Sequence, residues 1–150
     1  MPEPWTTERP KVLVISDDQD AGELLTRLLD RAGWTTDLAY SASSGLSELE
    51  DAHYTAVVLG LTSTADSIDV LRSIREAPAT AELRVAVCAH SRGEQGEAWI
   101  TGADGFLVHP FDADELVAEV NAVVARPDEE RDDHRQRQVG LSIPDTPDEG

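Results

Sequence analysis

The sequence predicts an α/β protein: one parallel sheet with helices on both faces. Three observations carry this. Short apolar runs such as KVLVI (11–15) and AVVL (56–59) are continuous rather than alternating, as in strands buried on both sides. Segments of helical periodicity separate them, five strands alternating with five helices. No internal repeat divides the chain.

The elements follow in order. After KVLVI, Ala21, Leu24, Leu25, Leu28, Leu29 and Ala32 recur at helical spacing, and Gly33 suits the C-terminal cap. TTDLAY (35–40) alternates as a short strand, and Leu46, Leu49 and Ala52 mark a helix over 43–52. AVVL is the third strand. Ile68, Leu71 and Ile74 mark a third helix, stopped by Pro78, and LRVAVCA (83–89) is the fourth strand. A weaker helix spans 93–101, with Gly93 and Gly96 near its start, before the strand GFLV (105–108). Asp112 and Glu115 form a capping box ahead of Leu116, Val117, Val120, Val123 and Val124, and Pro127 ends that helix. Residues 1–10 read as a flexible lead-in, 11–126 as the domain, and 127–150 as a disordered acidic tail.

Composition narrows the function. The net charge of −18 repels nucleic acid and anionic lipid, so neither DNA nor membrane is an expected partner. The tail carries eight acids against three arginines, so most of the acidity belongs to the domain. The single cysteine, Cys88, excludes an internal disulfide, and no signal peptide is evident, which together predict a cytoplasmic protein. Lys11 is the one lysine, so any chemistry needing a lysine has one candidate.

In parallel sheets of this kind, chemistry sits beyond the C-terminal ends of the strands. Those ends are Ser16-Asp17-Asp18, Gly60-Leu61, Ala89-His90 and His109-Pro110-Phe111. The segments VLVISDDQD, AVVLGL and GADGFLVHPFDADEL carry a resemblance to the receiver domain of two-component response regulators, covering residues 11–126. The resemblance implies a flavodoxin-like (CheY-like) fold of strand order 2-1-3-4-5. It also implies phosphoryl transfer to an aspartate held with Mg²⁺ among three carboxylates, assisted by a hydroxyl residue and a lysine.

Placed on that pattern, Asp17 and Asp18 match the metal-binding acids and Phe106 the switch aromatic. Gly60 falls on the phosphoacceptor, Ala89 on the hydroxyl residue and His109 on the lysine. Three reacting groups are thus absent together. The Met-Pro that follows the acceptor in the family is replaced by Leu61-Thr62-Ser63-Thr64. Asp17 and Asp18 read either as a weak, vestigial Mg²⁺ site or as a solvated turn and helix N-cap, and the second is favoured. His109 reads either as a partner of those acids, with a raised pKa, or as the residue before a turn proline, and again the second is favoured.

The expected function is a stand-alone, atypical receiver that binds a partner protein without phosphorylation and is not an enzyme. It needs no cofactor beyond, at most, weak Mg²⁺. The resemblance implies a partner or homodimer face on helix 4, strand 5 and helix 5. Trp99, Glu115 and Glu119 fall there, with Asp104 counted among its acids, and the acidity of that face calls for a basic partner. The sequence admits three other readings. One is a degenerate receiver responsive to a small molecule at the vacated pocket. The second is a haloacid-dehalogenase-like phosphatase using Asp18 and Asp20, for which the lysine is missing. The third is a flavin or nucleotide carrier, for which the SDDQD loop is wrong because it repels phosphate.

Overall fold

The computed structural model describes residues 11–142. The expected lead-in at residues 1–10 lies outside the described residues. Five parallel strands form one sheet in the order β2-β1-β3-β4-β5. They are β1 (Lys11–Ile15), β2 (Thr35–Ala39), β3 (Ala56–Leu59), β4 (Arg84–Ala89) and β5 (Gly105–Val108). The helices are α1 (Gln19–Arg31), α2 (Ala42–Asp51), α3 (Thr64–Glu76), α4 (Gln95–Thr101), α5 (Ala113–Ala125) and α6 (Asp128–Ser142), and a 3₁₀ turn at Arg92–Glu94 leads into α4. This is the flavodoxin-like fold, with one helix more than the sequence pattern suggests.

Strand alternation divides the core. Leu13, Ile15, Val57, Leu59, Val85 and Val87 face a layer containing Leu49, Ile68, Leu71, Ile74 and Trp99 of α2, α3 and α4. Val12, Val14, Val58 and Cys88 face Leu25, Leu29, Leu116 and Val120 of α1 and α5. Burial on both faces explains why these strands read as continuous apolar runs.

Local signals set the boundaries. Asp18 caps α1, its carboxylate accepting from Ala21 N–H, and Gly33 leaves the helix at φ 103°. Asp112 and Glu115 close the expected capping box on α5. The α3 helix begins at Thr64, well before the first apolar marker Ile68, because Ser63 Oγ accepts from Asp66 N–H and caps it. Asp66 therefore lies in the first turn of α3.

The chain after Pro127 corrects the expected disordered tail. Residues 128–142 form α6, while 143–150 lie outside the described residues. The α6 sequence has almost no apolar face, which is why periodicity does not reveal it. Its order comes from polar groups: Arg131 is 4 % exposed and sits among carboxylate and carbonyl oxygens of the domain.

Candidate functional site

At the C-terminal end of the sheet, β1 delivers Ser16, Asp17 and Asp18. Ser16 is buried, and its hydroxyl donates to Asp18 O at 3.1 Å. Asp17 reaches across to the loop after β3, where its Oδ1 accepts from both Thr62 N–H and Thr62 Oγ, each at 2.8 Å. The Thr62 N–H bond chiefly, helped by the hydroxyl, outweighs desolvation and holds the Asp17 carboxyl below the usual range. Asp18 is occupied by its capping bond at 3.1 Å.

Asp17 and Asp18 are both committed to hydrogen bonds within the chain. One oxygen of each is engaged with the protein, and among the described residues no group of three His, Cys, Asp or Glu could hold a metal. The structure supports the N-cap reading of Asp18 and gives Asp17 a tether between β1 and the β3–α3 loop.

Gly60 follows β3 directly, its N–H donating to Ile15 O at 2.8 Å. A Cβ there would lie 3.4 Å from Leu25 Cδ1 and 3.9 Å from Ile15 O, ordinary packing distances, and the backbone is not in the left-handed region. Neither space nor conformation demands glycine at this position. Ala89 is fully buried at the end of β4.

His109 does not meet the acids. Its ring stacks on His90 with centroids 4.7 Å apart and lies 4.6 Å from the Phe111 ring, beside the cis His109–Pro110 bond. Burial, and then the charge of His90, lower its pKa, the opposite of the shift an acid partner gives. The pairing of His90 with His109 was not visible in sequence because the two residues are joined only by β4–β5 adjacency.

Lys11 lies at the opposite end of the sheet, 3.3 Å from Asp37 and 5.1 Å from the Tyr54 ring centroid. A lysine held there is no reagent for the strand-end cluster. Phe106 is half-buried on β5, 6.5 Å from the Trp99 ring centroid.

The expected partner face needs three corrections. Trp99 is 4 % exposed and packed edge-on against His134 of α6 at 5.5 Å, so it is not an accessible anchor. Glu119 is half-buried and accepts from Phe106 N–H at 2.9 Å, tying α5 to β5. Asp104, counted with the acids of that face, is 1 % exposed. Glu115 is exposed, with its carboxylate in the capping box.

Asp104 is the centre of a dense polar cluster. Its carboxylate meets Arg75 Nη2 at 2.9 Å, Arg131 Nε at 2.9 Å, Arg135 Nη2 at 3.0 Å and Val85 N–H at 3.0 Å. Arg126 donates to the Asp104 carbonyl at 2.9 Å. Burial pushes the Asp104 carboxyl up, but the bonds from Arg131 and Val85, with the charges of Arg131 and Arg135, outweigh it and leave the pKa lowered. Burial also brings Arg75 down to about 10, still protonated at neutral pH. Arg75 further donates to the carbonyls of Ala81, Leu83 and Gly102. Sequence held one clue to this cluster: an acid immediately before an apolar strand, with arginines one helical turn apart at 131 and 135.

A model of the response regulator receiver domain matches residues 12–121, and the chain belongs to that family. It is 29 % identical over 124 residues to the transcriptional regulatory protein ResD of Bacillus subtilis, covering 80 % of this chain and 50 % of ResD. The chain spans about half the length of the curated relatives it matches. Its fold is similar to that of a response regulator from Chloroflexus aurantiacus, with TM-score 0.72, 24 % identity and coverage of 79 % of this chain and 100 % of the other. It is also similar to TrrA of Thermotoga maritima, solved with Mg²⁺ and BeF, with TM-score 0.68, 22 % identity and coverage of 76 % and 98 %. Receiver domains are generally non-enzymatic signalling modules that interact with partner proteins such as kinases and effectors. Among the described residues no helix is long and apolar enough to cross a membrane.

Proposed function

We propose that this chain is an atypical receiver that signals by binding a partner protein, with no phosphorylation at its strand ends. The observation that carries the reading is Gly60. It occupies the end of β3, where the family places its phosphoacceptor, and it offers no nucleophile although a Cβ would fit. The surroundings agree with it. Asp17 is tethered to Thr62, Ala89 supplies no hydroxyl, and His109 stacks on His90 in place of a mobile lysine. Ser63 caps α3 and Thr64 is buried, so neither is a free substitute nucleophile.

A switch requires a ligand that binds two states unequally, so without a phosphoryl group the strand ends of this module do not act as the switch. The exposed acids Asp112, Asp114 and Glu115 at the start of α5 suit a basic patch on the partner, with association slowed by salt. A homodimer through α4, β5 and α5 has less surface to use, because α6 packs along α4.

The test is incubation with acetyl phosphate, and separately with beryllofluoride and Mg²⁺, followed by intact mass and amide NMR spectra. No phosphoryl adduct and no spectral change are expected. A stoichiometric, acid-labile phosphoprotein overturns the reading.

A further inference from the structure

The helix α6 is attached in an unusual way. Of its fifteen residues, the hydrophobic ones are Val139 and Leu141, and Leu141 is 77 % exposed. Its hold on the domain is mainly polar, with Val139 alone packed against the core layer, and is centred on Arg131 and Arg135, one turn apart, which converge on the Asp104 carboxylate. Between them in sequence, His134 lies edge-on against Trp99. A helix this short and polar is not stable alone in water, so docking is what keeps it helical.

The site beneath α6 is built to survive without it. Asp104 keeps Arg75 at 2.9 Å and Val85 N–H at 3.0 Å, neither of which comes from α6. Its carboxylate is therefore not orphaned when α6 leaves. The fit of α6 is also incomplete. A cavity of about 480 Å³ remains, with Trp99, Ile100, Gly102, Arg135 and Val139 among its walls. Ile100 is 70 % exposed at its edge. The indole N–H of Trp99 is buried with no hydrogen-bond partner among the described residues. Undocking hydrates that N–H.

We propose that the α4 face of this domain is a docking groove for a helix bearing two arginines one turn apart, and that α6 is its resident, displaceable occupant. The partner is a protein helix of the pattern Arg-x-x-aromatic-Arg. The arginine pair reads the buried Asp104 carboxylate, and the ring between them covers Trp99. A helix without that arginine pair does not restore the two ion pairs that α6 makes with Asp104. This names the partner class for the interaction module proposed above and rests on that reading. The phosphorylation test is independent of it: labelling by acetyl phosphate leaves the groove test standing, and failure of the groove leaves the Gly60 reading standing.

Two measurements on the full chain test the proposal. Hydrogen exchange of the wild-type chain should show α6 amides exchanging at least tenfold faster than those of β1, β3 and β4, through local opening. Exchange of α6 only together with the sheet overturns displaceability. The second uses the Arg131→Ala/Arg135→Ala chain, whose own helix is disabled. Its probe is a synthetic helix of residues 128–142, stapled between the exposed positions 133 and 137. Saturable binding is expected by NMR shifts at Trp99 and Asp104, at least tenfold weaker when the peptide itself lacks both arginines. Equal binding of the two peptides, or none, overturns the groove. Should the double variant not fold, Arg135→Gln alone replaces it, with the same two peptides and the same outcomes.

Discussion

The two ends of the sheet are opposites. At the C-terminal end, Asp17 and Asp18 are exposed, each is bound to a neighbouring backbone N–H, and Gly60 and Ala89 bring no functional group. At the N-terminal end, Asp104 is buried and three arginines share its carboxylate. The end where this family does its chemistry is chemically sparse, and the end that normally only supports the fold carries the dense charge. Buried charge is tolerated only when it is paired and hydrogen-bonded, so a cluster of this kind marks a structural commitment. What it holds is α6. The polar interactions around Asp104 serve to place a helix.

The largest effect should follow from Asp104→Asn. The substitution removes the charge that three arginines share and leaves them facing a neutral amide. Breaking a buried pair by removing one partner destabilises by about 3–5 kcal/mol. Urea unfolding should show that loss, with hydrogen-exchange protection disappearing first from α6. An unchanged midpoint would erase the contrast between the two ends.

Next comes Gly102→Ala. Gly102 has φ 123°, a conformation that side chains rarely adopt, and a Cβ there meets Arg75 Nε at 2.8 Å. The Gly102 carbonyl also accepts from Arg75 Nη2 at 2.7 Å, so a shift in this loop disturbs the Asp104 cluster too. About 1–3 kcal/mol of backbone strain is expected. Thermal unfolding of the two variants and of their combination should show that their effects do not add, since both act through Arg75.

A smaller effect comes from pH. His134 sits below its ordinary 6.5 because of burial and then the charges of Arg126 and Arg137, only partly opposed by Asp104. His109 is lowered by burial and His90. A histidine with a depressed folded pKa binds its proton more readily when unfolded. Stability is therefore fully present above 6.5 and declines as pH falls below 6.5. The lowered Asp104 carboxyl adds a further loss below 3.8, where the unfolded chain begins to take up that proton. Thermal midpoints measured from pH 8 to pH 5 should fall in the wild type, and the slope should flatten in His134→Gln. An identical slope in that variant removes His134 from the account.

Sequence disclosed the five strands because their burial on both faces writes itself as unbroken apolar runs. It disclosed the α5 cap because Asp112 and Glu115 are local partners. It disclosed where Asp17, Gly60, Ala89 and His109 stand, since strand ends are fixed once strands are. It did not disclose α6, whose order comes from contacts with Asp104 and Ala103 on another part of the chain. For the same reason it exposed Trp99 and Asp104 to a partner when α6 covers them. A polar helix stabilised at a distance has the composition of a solvated tail, and periodicity cannot tell the two apart.

Gly60→Asp should have the smallest effect on stability, and that makes it the sharpest test of the sparse end. The position has room: the nearest atom to an added Cβ is 3.4 Å away, and the backbone needs no glycine. Replacing glycine at a compatible position lowers the entropy of the unfolded chain, worth about 0.4–1 kcal/mol for Gly→Ala. Repulsion from Asp17 and Asp18 acts against it, so the net change should stay within about 1 kcal/mol. The third carboxylate should strengthen Mg²⁺ binding, read by titration of amide shifts at residues 17, 18 and 60. Efficient labelling by acetyl phosphate should still fail. Ala89 supplies no hydroxyl, His109 remains stacked on His90, and Asp17 must leave Thr62 before it can serve a metal. Adding Ala89→Thr and His109→Lys should bring labelling back. Rapid phosphorylation of the single variant would mean that the surrounding geometry is still that of a working receiver and that Gly60 alone separates this chain from one.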